Sequence, residues 1–530
     1  MIPESERFVD RSVLLDPANA LHWVGSLLLL ILILHFTWRL VANAAPMPIK
    51  SPLIRRLGRI PLILFLLVLA YQARWQLAGF MDPDFLAAQR GFDPRGDLVG
   101  NRFHRGEILD AYGKSLAQDV RMQQGLSRSY ALGARAVHLI GYHDAVYGAT
   151  GLERELDDIL MARRMSGWRD AVRLLGGLFV HRTLHGHPVR LALGADFQAA
   201  TADLLEGKAG AIVVLDPRDG SVLAMASFPS FDPQELTPGR VRRLREDAGS
   251  PFLNRALQGL YPPGSTFKTL DVMLAFEQGI APEFTCSREG FDCGPADPVL
   301  HDFEHDSRGG QFEGHGPIGL EEAFEKSCNV YFANLAKRLG SRNLMDAARR
   351  AGFDRPITPV NRGLPSLAGR LPNRDDLHIA RTVRVAIGQD AVLVTPMHLA
   401  MLAAAIASGG TMFQPRYLLE EKPIPFRYLT DSSVAERVAQ LMVRVVESGT
   451  GRGAGVEGIV VGGKTGTAEN ATGQSHALFI GFAPWPRPTI AFAVVLEQGG
   501  QGGRVAAPIA GALVRAARDF GVLNRECLHD

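Results

Sequence analysis

Tyr261-Pro262-Pro263-Gly264-Ser265-Thr266-Phe267-Lys268 stands directly before an apolar run, Leu270 to Phe276, that Gly279 closes. Two prolines and a glycine make a stiff turn, the apolar run reads as a buried helix, and Ser265 falls where that helix begins. Lys268 lies one helical turn on and shares the face of Ser265. A hydroxyl in the electropositive first turn, with an amine in reach, is a nucleophile with a candidate base. Alone, Ser-x-x-Lys describes a solvated helix start equally well, so the reading depends on what else the chain carries.

Two further motifs follow. Ser327-Cys328-Asn329 opens a second helix, Val330 to Leu339; its hydroxyl and amide could relay a proton and orient an amide, once a turn brings both to one side. Taken by itself it is an ordinary helix N-cap. Lys464-Thr465-Gly466-Thr467 follows the apolar stretch Ile459 to Val461. On a strand, period two sends Thr465 and Thr467 to the same side, and Gly466 leaves room for close approach. Such an edge strand can pair with a peptide backbone while hydroxyls and ammonium hold a carboxylate. Its plain alternative is a glycine turn with an exposed lysine.

The order and setting of the three motifs match those of penicillin-binding proteins and class A β-lactamases. Over Arg105 to Ala517 the chain resembles the penicillin-interacting serine transpeptidases, specifically the class B penicillin-binding proteins. Arg105-Gly106-Glu107-Ile108-Leu109-Asp110 is similar to the family's pedestal signature, with Ala111-Tyr112 where Arg-Asn is usual. Gly210 to Ser227, Asn254-Arg255-Ala256, Ala386-Ile387-Gly388-Gln389 and Gly481-Phe482-Ala483-Pro484 also look like family segments.

The resemblance implies a peptidoglycan D,D-transpeptidase. Ser265 would be the nucleophile, Lys268 the base, Ser327 the proton relay and Asn329 the amide holder. Lys464, beside Lys268, would keep that base neutral and, with Thr465, Gly466 and Thr467, bind the terminal carboxylate. The backbone N–H groups of Ser265 and Thr467 would form the oxyanion hole. The implied partners are stem peptides (a D-Ala-D-Ala donor and an amine acceptor), β-lactams, the membrane and a SEDS-type glycosyltransferase, with no cofactor. A D,D-carboxypeptidase or a β-lactamase-like hydrolase shares the motifs; a β-lactam-binding scaffold or sensor is the non-enzymatic alternative.

The rest of the chain fits this frame. Its 530 residues, 46% hydrophobic with net charge +2, suit several cored domains and carry no nucleic-acid footprint. Two apolar stretches, at 22–41 and 57–77, approach the roughly 20 residues needed to cross a bilayer. Arg39, Lys50, Arg55, Arg56 and Arg59 between them, without an acidic residue, place that loop in the cytoplasm. The expected organisation is an inner-membrane anchor (1–81), a non-catalytic, dimerisation-like pedestal (82–206), an extracytoplasmic transpeptidase domain (207–522) and a short tail (523–530). The fold class is α+β: an elongated pedestal, then an antiparallel sheet sandwiched by helices.

Four cysteines are too few for a disulfide scaffold. Cys286 and Cys293, flanking Gly290 outside the cytoplasm, are expected to form a local disulfide. Cys293, His301, His305, His315 and Cys328 fit no standard zinc spacing, so no metal is expected, and Cys328 reads as a small buried packing group.

Overall fold

The computed structural model describes residues 103–525 apart from 123–124, 145, 162–183, 308–309, 374–376 and 470–472. Both expected membrane spans lie outside these residues. No helix among the described residues is long and apolar enough to cross a membrane.

Strands β1 (Ile108–Leu109), β2 (Ser115–Met122), β3 (Gly125–Tyr130) and β4 (Val189–Arg190) form a small sheet in the order β3-β2-β1-β4. Within the signature stretch Arg105–Asp110 only Ile108–Leu109 is strand, while Arg105 turns its side chain inward onto Glu153 and Asp157. Two short helices, Gly151–Glu155 and Asp157–Leu160, follow this sheet's first three strands in sequence. Glu153, 0% exposed, accepts from both Arg105 and Arg128.

The larger sheet follows helix α1 (Ala195–Asp203). It consists of β5 (Gly210–Leu215), β6 (Val222–Phe228), β7 (Gly462–Ala468), β8 (His476–Ala483) and β9 (Ile490–Leu496), ordered β6-β5-β9-β8-β7. Every neighbouring pair is antiparallel, and β7 is an edge strand. The strand expected from Ile459 starts only at Gly462, so the lysine motif is itself the strand.

Alternation divides the core. Ala211, Val213 and Leu215 of β5 and Ala491, Ala493 and Val495 of β9 pack into one cluster with α2 (Lys268–Glu277), α4 (Asn329–Leu339) and α5 (Pro396–Ala407). Ile212 and Val214, with Ile490, Phe492 and Val494, face α1 and the C-terminal helix over Gly502–Asp519. Both faces are covered, which is why these strands read as unbroken apolar runs. Each buried Val, Leu, Ile or Phe among them contributes about 1.5–3 kcal/mol. Helices α3 (Leu320–Lys326) and α6 (Ser432–Glu447) complete one layer, so the C-terminal helix is α7. The helices on both faces match the sandwich expected from sequence.

Candidate active site

Ser265 sits in a single 3-10 turn, Gly264–Thr266, that leads into α2, where Lys268 is the first residue. Backbone contact alone locates this turn. Gly264 N–H donates to Gly388 O at 2.9 Å, and a Cβ placed on Gly264 (φ +54°) would lie 2.7 Å from Thr467 O and 3.2 Å from Thr467 N. On Gly388 it would lie 2.0 Å from Gly264 O. The nucleophile turn therefore lies directly against the β7 backbone, because neither glycine carries a side chain that would hold them apart.

Ser327 ends α3 with left-handed backbone (φ 60°, ψ 35°), and α4 starts at Asn329. That reversal is the turn the motif needs for the two side chains to converge. Ser265, Ser327, Asn329, Thr465 and Thr467 all line one cleft of about 1050 Å³. Thr467 Oγ1 accepts from Gly502 N–H at the start of α7 (3.2 Å), and Thr465 Oγ1 lies 2.8 Å from Thr450 Oγ1. Gly466 packs its backbone 3.0 Å (to an added Cβ) from Pro263 O.

The two lysines lie beneath this surface, both 0% exposed. Lys268 Nζ donates to Ser327 O (2.6 Å), Asn329 Oδ1 (2.7 Å) and, more weakly, Ser327 Oγ (3.4 Å). Lys464 Nζ donates to Ser327 Oγ (2.8 Å) and Thr465 O (3.2 Å). Each ammonium also stands over an aromatic ring, Phe332 at 5.2 Å and Phe324 at 5.4 Å. Among the described residues neither has an ion-pair partner. Burial pushes Lys268 down to about 8, against the pull of Asp302. Burial, reinforced by Lys268, holds Lys464 well below the usual lysine value. The Ser327 hydroxyl thus bridges two amines that cannot both be comfortably charged. Neither lysine is among the residues that line the cleft, and Lys464 meets it through the Ser327 hydroxyl.

Two acids were not singled out from sequence. Asp302 accepts from Asn329 N–H at 2.9 Å and so fixes the start of α4. Asp271 lies on α2, 1% exposed, with neither carboxyl oxygen hydrogen-bonded, and burial raises it well above the ordinary carboxylate range against the pull of Lys268. Its signal was visible as the one charged residue inside Leu270 to Phe276. Asp302 had none, since it comes from a distant loop without periodicity.

The expected Cys286–Cys293 disulfide does not form: both thiols are free and buried. Cys286 Sγ turns to His315 Nδ1 at 3.5 Å, whereas Cys293 Sγ points at Phe291 O, 3.8 Å away. Cys286, Asp302, His315 and Cys328 bring one donor atom each to within 4.8 Å of one another. Of the five residues weighed from sequence, His315 and Cys328 belong to this group; Cys293, His301 and His305 do not. Two thiols, an imidazole and a carboxylate are a donor set that fits zinc. An ion held there would brace the Ser327–Asn329 turn from behind through Cys328 and Asp302. Cys328 also caps α4, accepting from Tyr331 N–H at 3.4 Å.

The profile of the penicillin-binding protein transpeptidase domain matches residues 210–515, and that of the penicillin-binding protein A dimerisation domain matches 105–177. The chain is 32% identical to peptidoglycan D,D-transpeptidase MrdA of Acinetobacter baumannii, over 82% of this chain and 66% of the relative. It is 30% identical to peptidoglycan D,D-transpeptidase PbpA of Mycolicibacterium smegmatis, over 88% of this chain and 98% of the relative. Among solved structures, the ceftriaxone acyl-enzyme of penicillin-binding protein A from M. tuberculosis superposes with a TM-score of 0.71 at 30% identity, covering 79% of this chain and 99% of that one. Fold, site and relatives agree: this chain belongs to the penicillin-binding protein transpeptidase family.

Proposed function

We propose that the chain is a peptidoglycan D,D-transpeptidase acting through a Ser265 acyl-enzyme. The observation that carries this reading is the cleft in which Ser265, Ser327, Asn329, Thr465 and Thr467 converge above two buried lysines with no ion-pair partner among the described residues. Relatives named as D,D-transpeptidases and acyl-enzyme structures of β-lactams support it.

Ser265 Oγ attacks the carbonyl of the penultimate D-alanine while its proton passes to neutral Lys268. Substrate binding draws the hydroxyl and amine together; such contacts are commonly loose in the free enzyme. Charge developing on the carbonyl oxygen is met by the N–H groups of Ser265 and Thr467, which backbone contact at Gly264 holds side by side. Asn329 holds the donor amide. Ser327, bridging both lysines, returns a proton to the departing D-alanine. An amine of a neighbouring stem then attacks the ester, the C–O bond breaks, and Ser265 recovers its proton. Thr465 and Thr467, at the N-terminus of α7, hold the terminal carboxylate. β-Lactams acylate Ser265 as mimics of D-Ala-D-Ala. Segments 22–41 and 57–77 anchor the chain in the inner membrane with the cleft outside the cytoplasm, and a SEDS-type glycosyltransferase supplies the glycan partner activity.

Mass spectrometry after exposure to penicillin, and to a D-Ala-D-Ala-like thioester with an added amine, tests this. Transpeptidation requires an adduct on Ser265, absent in Ser265→Ala, that the amine captures. Capture by water alone would make the chain a carboxypeptidase, and labelling of Ser265→Ala would remove the nucleophile.

A further inference from the structure

One wall of the cleft has no part in the chemistry above. Val299 and Phe303 line the cavity that holds Ser265, yet 43% and 41% of their surfaces stay open to solvent. Among the described residues, few large apolar side chains are this exposed, and most such residues lie under 10%. The segment carrying them is firmly held. Phe291 and Leu300 exchange backbone hydrogen bonds of 2.8 and 2.9 Å, Asp302 accepts from Asn329 N–H, and Asp297 pairs with Arg384 at 3.1 Å. The wall is thus attached to the cleft through the Ser327–Asn329 side, whereas Thr465 and Thr467 belong to the sheet edge β7.

The donor half of the reaction does not need such a wall. A D-alanyl-D-alanine end presents methyl groups, an amide and a carboxylate, which the hydroxyls, Asn329 and backbone groups satisfy. An acceptor whose reacting nitrogen sits on an aliphatic side chain is chemically different: the methylene groups of that chain are recognised through apolar surface. Next to Phe303, Glu304 also lines the cleft, its carboxylate 3.7 Å from His315 Nε2, and adds negative charge where an ammonium would arrive.

We propose that Val299 and Phe303 form the acceptor wall, recognising the aliphatic side chain of the neighbouring stem peptide whose amine resolves the Ser265 ester. This rests on the transpeptidase reading and specifies its second substrate. The arriving ammonium releases one proton to solvent, the neutral nitrogen forms the new amide bond as the ester C–O bond breaks, and the second proton of that nitrogen passes by way of Lys268 to Ser265 Oγ. The wall acts on selection of the amine and leaves these bond changes to the residues already named.

The test uses the full chain, acylated with a D-Ala-D-Ala-like thioester and offered water with either glycine or a stem-type tripeptide bearing a free aliphatic side-chain amine. The readout is amine adduct against hydrolysis product per acyl-enzyme formed, so losses of folded protein cancel. The unsubstituted chain is expected to prefer the aliphatic amine over glycine, and Val299→Ser/Phe303→Ser to lose that preference by about tenfold. Val299→Leu/Phe303→Leu keeps it. Should the double serine variant form no acyl-enzyme, Phe303→Ser alone is scored the same way. An unchanged ratio in a serine variant overturns the acceptor wall while leaving the transpeptidase intact; hydrolysis alone by the unsubstituted chain overturns both.

Discussion

Two buried polar clusters in this molecule are built on opposite principles. In the pedestal, Arg105 and Arg128 meet Glu153, with Asp119 and Asp157 completing the set at contacts of 2.5–3.1 Å. Each buried guanidinium there has carboxylates to answer it. Below the cleft, Lys268 and Lys464 are buried with no ion-pair partner among the described residues and share Ser327 Oγ. A matched cluster fixes a fold, because removing either sign leaves an uncompensated charge. A mismatched one keeps an amine close to giving up its proton, which is what a base at neutral pH requires. The same desolvation serves stability in one place and reactivity in the other.

Exchanging members of the two clusters should therefore have opposite consequences. Lys268→Ala is expected to slow penicillin acylation by between about 100- and 10,000-fold with little loss of melting temperature; undiminished acylation would remove Lys268 as base. In the unsubstituted chain the acylation rate should climb about tenfold per pH unit and level off above the Lys268 value, which burial sets at about 8. The sign follows from the chemistry, since only the neutral amine accepts a proton; a profile flat from pH 6 to pH 9 would contradict it. Glu153→Ala, by contrast, should cost up to about 3–5 kcal/mol of stability by removing the buried carboxylate that both arginines share and leaving Arg105 with Asp157 and Arg128 with Asp119, while acylation per folded molecule holds steady. Chemical denaturation read beside penicillin labelling separates the two effects.

Smaller effects sharpen the contrast. The chain purified without chelators is expected to carry zinc on Cys286, Asp302, His315 and Cys328; stripping it, or replacing His315 by Ala, should lower the melting temperature and slow acylation together. Protein whose zinc content is nil before treatment would refute this. Asp271 is the subtlest. Its folded-state carboxyl is raised well above the unfolded value, so the folded chain holds a proton the unfolded chain releases, and stability falls as pH rises past about 4. Asp271→Asn removes that penalty and should stabilise by about 1–3 kcal/mol at pH 7, with almost no gain at pH 4. A variant less stable at both pH values would show that Asp271 has a partner in solution.

Much of the site could be read in advance because its chemistry is local. Ser265 and Lys268 are a helical turn apart, Thr465 and Thr467 alternate on a strand, and Ser327 with Asn329 brackets a helix start. Short-range periodicity carries such relations directly. The donor cluster could not be picked out in advance because it joins Cys286, Asp302, His315 and Cys328 from separate segments, whereas Cys293 and the two stacked imidazoles of His301 and His305 are as near in sequence without belonging to it. In the pedestal Glu153 gathers Arg105 and Arg128 from separate segments in the same way. Long-range charge pairing leaves no pattern in a single sequence.

If β-lactams acylate Ser265 as proposed, the bare backbone contact among Gly388, Gly264 and Thr467 limits how this protein could escape them. With an added methyl group 2.0 Å from a carbonyl oxygen at one glycine and 2.7 Å at the other, even alanine there would dislodge the nucleophile itself. Resistance through altered drug fit is therefore barred from the innermost floor of the pocket. It has to arise at the rim, where residues such as Val299 and Phe303 can change without moving Ser265.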